Sequence, residues 1–242
     1  MAHHGITTQR HPIILSLENS GMCGSIALTA RDLCLAEYSL TSKITHSKRL
    51  LGSIDFIMRE SLLDWPDIDA IAISLGPGSF TGLRIGLATA KGLAMATGRR
   101  LIGIPSLEAL ACQIQYTNRL ICPVIDARKK EVYTAIYRHQ YQNLQVLAPP
   151  MAVSPRDLAD QIREPVVFIG DGSVLYRDVL AEALGDLASF AEPAVYFPRA
   201  AAIGRLALPK WQASDFLNPV SAVPTYIRPS DAEMMADKKS TG

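Results

Sequence analysis

The segment Gly76-Pro77-Gly78-Ser79 and the run from Phe80 to Thr97 constrain this chain more than any other. Two glycines around a proline predict a tight turn, Ser79 caps a helix over 79–97, and Gly98 stops it. Along that helix Gly82, Gly86, Ala90 and Ala94 recur every four residues and form one line of minimal side chains. Such a line lets another backbone approach closely, and each glycine costs about 1 kcal/mol of helix propensity relative to alanine. Leu83, Ile85, Leu87, Leu93 and Met95 occupy most of the remaining circumference, leaving Arg84 and Lys91 as a narrow charged edge. A helix this apolar is buried on several sides. Its own sheet covers one side, and an amphipathic helix over 44–63, carrying Leu50 and Ile54 on its apolar face, covers a second. A partner chain is expected over the rest; complete burial within one subunit is the alternative.

The flanking pattern predicts an α/β protein. Strands are expected over 13–17, 24–30 and 33–40, then at 68–75 and 101–104, with a helix from Pro105 to about Gln115. The second half repeats the alternation: strands at 120–125, 131–137, 144–153 and 166–169, helices at 155–162, 173–184 and 199–208. Pro209, Pro219, Pro224 and Pro229 are expected to keep the remainder irregular. The division proposed is 12–104 for an N-terminal half and 105–229 for a smaller C-terminal half, with 1–11 and 230–242 as disordered tails.

Composition excludes several classes. A net charge of +1 does not fit a protein that grips a long phosphate backbone alone. The four cysteines form no CxxC pair, which argues for reduced core thiols in the cytoplasm rather than a zinc site or disulfide framework. The amino-terminal residues lack the apolar stretch of a signal peptide, and Arg84 and Lys91 interrupt the longest apolar segment, so no membrane span is expected. The glycine-rich turn is neither a GxxxxGK[ST] loop nor GxGxxG, and Pro77 spoils GxSxG around Ser79. Gly170-Asp171-Gly172-Ser173 reads as a strand-to-helix turn or as a second phosphate loop. Adjacent residues point to different sides of a helix, so His46 is placed as a surface or interface residue rather than as a base for Ser47.

Ser74 to Ala94, SLGPGSFTGLRIGLATAKGLA, resembles the signature of the TsaB (YeaZ-like) family, relatives of the threonylcarbamoyl transferase TsaD. Ile14 to Leu28, His46-Ser47 with Arg49-Leu50-Leu51, Pro105 to Ala111, Asp126-Ala127-Arg128 with Glu131-Val132-Tyr133, and Tyr226 to Pro229 are similar to further family stretches. The resemblance implies an actin-like ATPase fold of two ribonuclease-H-like halves. It also implies a non-catalytic accessory subunit for N6-threonylcarbamoyladenosine formation in tRNA, partnered by TsaD and the small ATPase TsaE and reaching tRNA through that complex. In the family the two long helices pair with those of another copy or of TsaD. The expected interface is therefore His46, Leu50, Ile54, Gly82, Arg84, Gly86, Leu87, Ala90, Lys91 and Ala94.

The resemblance also bears on catalysis. TsaD-type enzymes hold a metal through two histidines four apart; the matching positions here are Ser106 and Leu110, so no metal is expected. Family members commonly carry Asp-Thr-Ser at the first strand-turn, where this chain has Glu18-Asn19-Ser20, and no nucleotide cofactor is expected. Glu18, Asp126, Arg128 and Glu131 remain candidates for a partner-site or nucleotide contact, the last three also as a local ion-pair network. The rival readings are a nucleotide hydrolase or kinase of the same fold and a glycoprotease-like peptidase.

Overall fold

Short runs of β-branched and leucine side chains, each ended by a turn, build the two sheets. A computed structural model describes residues 11–41, 47–140 and 143–228. His46 and nearly all of both expected tails lie outside the described residues. The first half opens with β1 (Ile13–Glu18), β2 (Cys23–Ala30) and β3 (Leu33–Thr41), an antiparallel meander in which Leu15 faces Leu28 and Leu17 faces Ile26. Helix α1 (Ser47–Glu60) leads to β4 (Ala70–Gly76), helix α2 (Phe80–Thr97) and β5 (Arg100–Pro105). Strands β4 and β5 add in parallel, giving the order β3-β2-β1-β4-β5. After α3 (Ser106–Ala111) come β6 (Leu120–Asp126), β7 (Val132–Gln140), β8 (Asn143–Val153), α4 (Pro155–Ala159), β9 (Val166–Ile169), α5 (Asp171–Leu175), α6 (Arg177–Leu184), β10 (Ala188–Phe190) and α7 (Ala200–Gln212). The second sheet is ordered β10-β9-β6-β7-β8. Three antiparallel strands followed by two parallel ones, twice over, is the paired ribonuclease-H-like plan of the actin-like fold.

Alternation along β1 sorts the first half into two layers. Leu15 and Leu17 pack with Leu50, Ile54 and Ile57 of α1 and with Leu87, Ala90 and Ala94 of α2. Ile14 faces the opposite way, onto Ile203 and Ala207 of α7. The chain beyond Arg199 thus returns to the first sheet, and Leu217 pairs with Leu101 beside it. Between the two sheets sits α3, with Ala109 in the core shared with α7 and Leu107 and Leu110 in that of the second sheet.

The structure departs from the expected elements in several places, and α3 stops at Ala111, short of Gln115. Pro209 lies inside α7 instead of ending it. It removes one bond in the last turn, but Leu206, Leu208, Trp211 and Phe216 pack on the core there and hold the helix to Gln212. The single helix expected over 173–184 is broken at Tyr176, whose φ of −112° and ψ of 22° are not helical. Strand β10 was not foreseen, because Ala-Ser-Phe is too short to show a period.

Candidate functional site

Two places follow from this layout: the strand ends between the halves, and the outer face of α1 and α2. Strands β1 and β6 occupy equivalent positions in the two sheets, and they end on Glu18 and Asp126. Glu18 is fully buried; Ser20 N–H donates to its Oε1 at 2.5 Å, and Oε2 has no hydrogen-bond partner among the described residues. Burial pushes this carboxyl up to about 7, against the hydrogen bonds from Ser20.

The turn after β1 sits directly on the start of α2. Ser79 N–H donates to Ser20 O at 2.6 Å, and Asn19 Nδ2 donates to Gly82 O at 2.8 Å. A Cβ at Gly78 would fall on Ser20 O, and one at Gly82 on Asn19 O. Where a helix start of this kind could receive a phosphate, the protein's own turn is seated.

The second half satisfies its loop in another way. Asp171 Oδ1 accepts from Asp126 N–H at 3.1 Å and from Gly172 N–H at 2.8 Å, so a side-chain carboxylate takes the amides of this turn. Desolvation raises the Asp171 pKa, against these two bonds. Arg128 N–H donates to Asp126 Oδ1 at 2.9 Å and its guanidinium lies 3.6 Å from Oδ2. Glu131 instead pairs with Arg228, which also donates to Ala127 O at 3.0 Å. Asp126, Arg128 and Glu131 therefore share one turn but form two separate pairs, Asp126 with Arg128 and Glu131 with Arg228, and no bond among the described residues joins them to Glu18. Arg228 is the partner that spacing did not reveal, because it arrives from the far end of the chain.

No cluster of three or more histidine, cysteine or acidic side chains suited to a metal occurs among the described residues. Ser106 and Leu110 are wholly buried. His139 Nε2 sits 2.6 Å from Ile114 O. No described helix is long and apolar enough to cross a membrane.

The line Gly82, Gly86, Ala90 and Ala94 is buried, but against its own sheet. A Cβ at Gly86 would lie 3.1 Å from Asn19 Cβ and 3.2 Å from Ile73 Cδ1. Leu50, Ile54 and Leu87 fill the same layer. These seven residues, expected at a partner interface, instead close the subunit core; the close approach their size permits is to β1 and β4. Arg84 and Lys91 are also engaged within the chain. Arg84 lies over the Phe80 ring, 3.8 Å from its centroid, and donates to Tyr226 Oη at 3.1 Å, while Lys91 reaches Val220 O and Ala222 O at 3.1 and 3.0 Å.

What remains open is a second line on the same helix. Thr81, Ala88, Gly92, Met95 and Ala96 are exposed and Ile85 half-buried, with Met95 64% accessible. A Cβ at Gly92 would meet nothing within 4 Å. Helix α1 has exposed residues of its own, Leu51 and Phe56, 57% and 46% accessible, and Gly52, also open; Phe56 lies edge-on to Tyr38 of β3. An i, i+4 reading of the sequence identifies the inner line. The outer line is equally visible in the spacing of Ala88, Gly92 and Ala96, but only the structure says which of the two the sheet covers.

The family model described as TsaD, tRNA N6-adenosine threonylcarbamoyltransferase, matches residues 35–235. The TsaB protein of Bacillus subtilis, named a tRNA threonylcarbamoyladenosine biosynthesis protein, is 31% identical over 91% of this chain and 96% of its own length. The chain belongs to the TsaB family. The Escherichia coli TsaB is 30% identical over 70% of the chain and 76% of its own length. The solved structure of YeaZ from Pseudomonas aeruginosa superposes with a TM-score of 0.78 at 25% identity, covering 89% of this chain and 99% of that one. Another Pseudomonas aeruginosa structure, described as similar to peptidase YeaZ, gives 0.77 at 25% identity over 90% of this chain and all of the other. TsaB relatives therefore match nearly the whole chain, and the interrupted strand-turn, Glu18-Asn19-Ser20, sits inside the matched fold.

Proposed function

We propose that this chain is a non-catalytic accessory subunit in the formation of N6-threonylcarbamoyladenosine in tRNA. It docks on a TsaD-type transferase through the outer face of α1 and α2, and a TsaE-type ATPase joins the assembly. A second copy of the chain takes the same face when the transferase is absent. The reading rests on family membership together with one observation: apolar residues left uncovered on both helices, Leu51 and Phe56 on α1 and Ala88, Gly92 and Met95 on α2 with Ile85 half-buried, outside a closed core. The small residues among those on α2 suit close helix-to-helix approach. The accessory role is supported by the strand ends, where the chain's own turn and the Asp171 carboxylate engage donors that a nucleotide phosphate would need. Work in the complex falls to the partner's reacting groups, and this subunit contributes shape.

The test places charge on these residues. Leu51→Glu with Met95→Glu leaves side chains in solvent in the monomer, so at concentrations too low for a second copy to bind its thermal unfolding should match the parent. Mixed with the transferase of its own organism, the variant should elute separately in size-exclusion chromatography and fail to support modification of tRNA. Co-elution and full modification by the doubly charged variant would refute the docking face.

A further inference from the structure

On the opposite layer of the first sheet lies a pocket of about 400 Å³, between the β2–β3 turn, the end of α3 and the start of α7. Its shape follows from Gly204, where a Cβ would fall on Thr29 Oγ1 and lie 2.9 Å from Ser16 Oγ. That close seating of α7 brings Arg199 and Arg205 to the mouth opposite Arg31 and Asp32 of the turn. Three arginines thus face two carboxylates, Asp32 and Glu37, and the pocket is net cationic in a protein of net charge +1.

The pairing inside it is uneven. Glu37 is held by Arg199, by Ala201 N–H at 3.0 Å and by the Ser25 hydroxyl at 3.3 Å, which makes a closed, neutral unit at the head of α7. Arg205 gives one donor to Cys112 O and keeps the rest of its fork. Arg31 is exposed and makes no hydrogen bond or ion pair among the described residues. The remaining wall is apolar or neutral, from Leu33, Ala201, Ala202 and two cysteines. Burial raises both thiols above their usual pKa, so neither supplies a thiolate nucleophile near neutrality.

We propose that this pocket binds a small organic anion, its phosphate or carboxylate oxygens gripped by Arg31 and Arg205 and its body resting on the Leu33 and Cys112 wall. The volume lies within the roughly 300–1,000 Å³ of small-molecule sites. A guanidinium fork meets two oxygens of either group in the same way, a geometry lysine does not reproduce. The pocket lies across the sheet from α1 and α2, so the assignment stands or falls independently of the docking face.

Calorimetry on the full chain tests it, with inorganic phosphate and citrate as probes and sodium chloride holding ionic strength constant. Saturable binding of at least one probe is expected, and which one binds names the anionic group. Arg31→Asn keeps a residue tolerant of the positive φ found there, 54°, and Arg205→Lys keeps a donor for Cys112 O. Each should weaken binding by about ten- to a hundred-fold, the loss of a charge-assisted bond, while unfolding without ligand and docking on the transferase are unchanged. Absence of saturable binding by both probes, or wild-type affinity in both variants, overturns the assignment.

Discussion

Gly82 and Gly92 lie on one helix ten positions apart, yet they are expected to respond in opposite ways to a single methyl group. At Gly92 the added Cβ meets open space, so Gly92→Ala gains only the propensity difference, about 1 kcal/mol in favour of the fold. In a domain of this size that is a rise of roughly 2–4 °C in Tm. At Gly82 the same Cβ falls on the carbonyl oxygen of Asn19, a backbone atom fixed between β1 and the helix. Relieving that overlap, against a backbone atom rather than a movable side chain, moves α2 off the sheet and costs toward the upper end of about 1–3 kcal/mol, more than the propensity gain. Gly92→Leu then separates folding from docking: the monomer should unfold no more easily than the parent, since leucine is also a better helix former than glycine, while association with the transferase is lost because the outer line no longer admits a close helix. Thermal and urea unfolding of the three variants, with size-exclusion of each against the partner, is the assay. A destabilised Gly92→Ala, a stabilised Gly82→Ala, or a Gly92→Leu that docks normally would each refute the division of the helix into an inner and an outer face.

Two further outcomes concern the strand ends. Burial holds the Glu18 carboxyl at about 7 against 4.5 for the free group, so the folded state binds its proton more tightly than the unfolded state. Stability from this group is full below the unfolded value and declines as pH rises through the window, by about 3 kcal/mol in all. Glu18→Gln, which still accepts from Ser20, should flatten urea-unfolding stability between about pH 5 and about pH 8 and exceed the parent at the upper end; parallel curves would show that Glu18 does not carry the dependence. Magnesium-ATP titrated into the isolated chain carrying Arg31→Asn and Arg205→Lys, which takes the arginine pocket out of the readout, should give no saturable heat, because Ser79 N–H, Asp126 N–H and Gly172 N–H are already bonded within the chain. Tight binding would favour a nucleotide hydrolase or kinase of the same fold.

Much of the architecture is legible in the sequence because period and punctuation agree. Val166–Ile169 is a bare apolar run between Pro165 and Gly170, and it is β9 over that span. Ser79 and Gly98 bound α2 as their chemistry dictates: the Ser79 hydroxyl accepts from Gly82 N–H, and Gly98 takes a φ of 69°. The inner line of small residues is visible too, but its partner is not. Spacing shows that a backbone comes close and cannot say whether that backbone belongs to the same chain. The Asp126–Arg128–Glu131 turn was visible as a charged cluster, whereas Arg228 and the return of α7 to the first sheet depend on contacts spanning much of the chain. The arginine-lined pocket had no local signal at all, since Arg31, Arg199 and Arg205 meet only after folding.

The two lines on α2 explain why the first half, rather than the second, leaves several turns of one helix face open. A helix seated by glycine and alanine sinks toward its sheet, so its flanking residues descend with it and the outer line is left shallow and flat. In the second half the corresponding segment is broken at Tyr176 into α5 and α6, and neither piece is long enough to offer several turns of one face. The duplicated topology supplies two chances at such a helix, and only the half whose turn packs on Gly78 and Gly82 keeps it continuous. The exchange is direct: the contact that fills the strand-end site with Asn19 and Ser20 is the same contact that seats α2. A helix start filled by the chain's own turn and a long helix with one face left open are then two consequences of one packing.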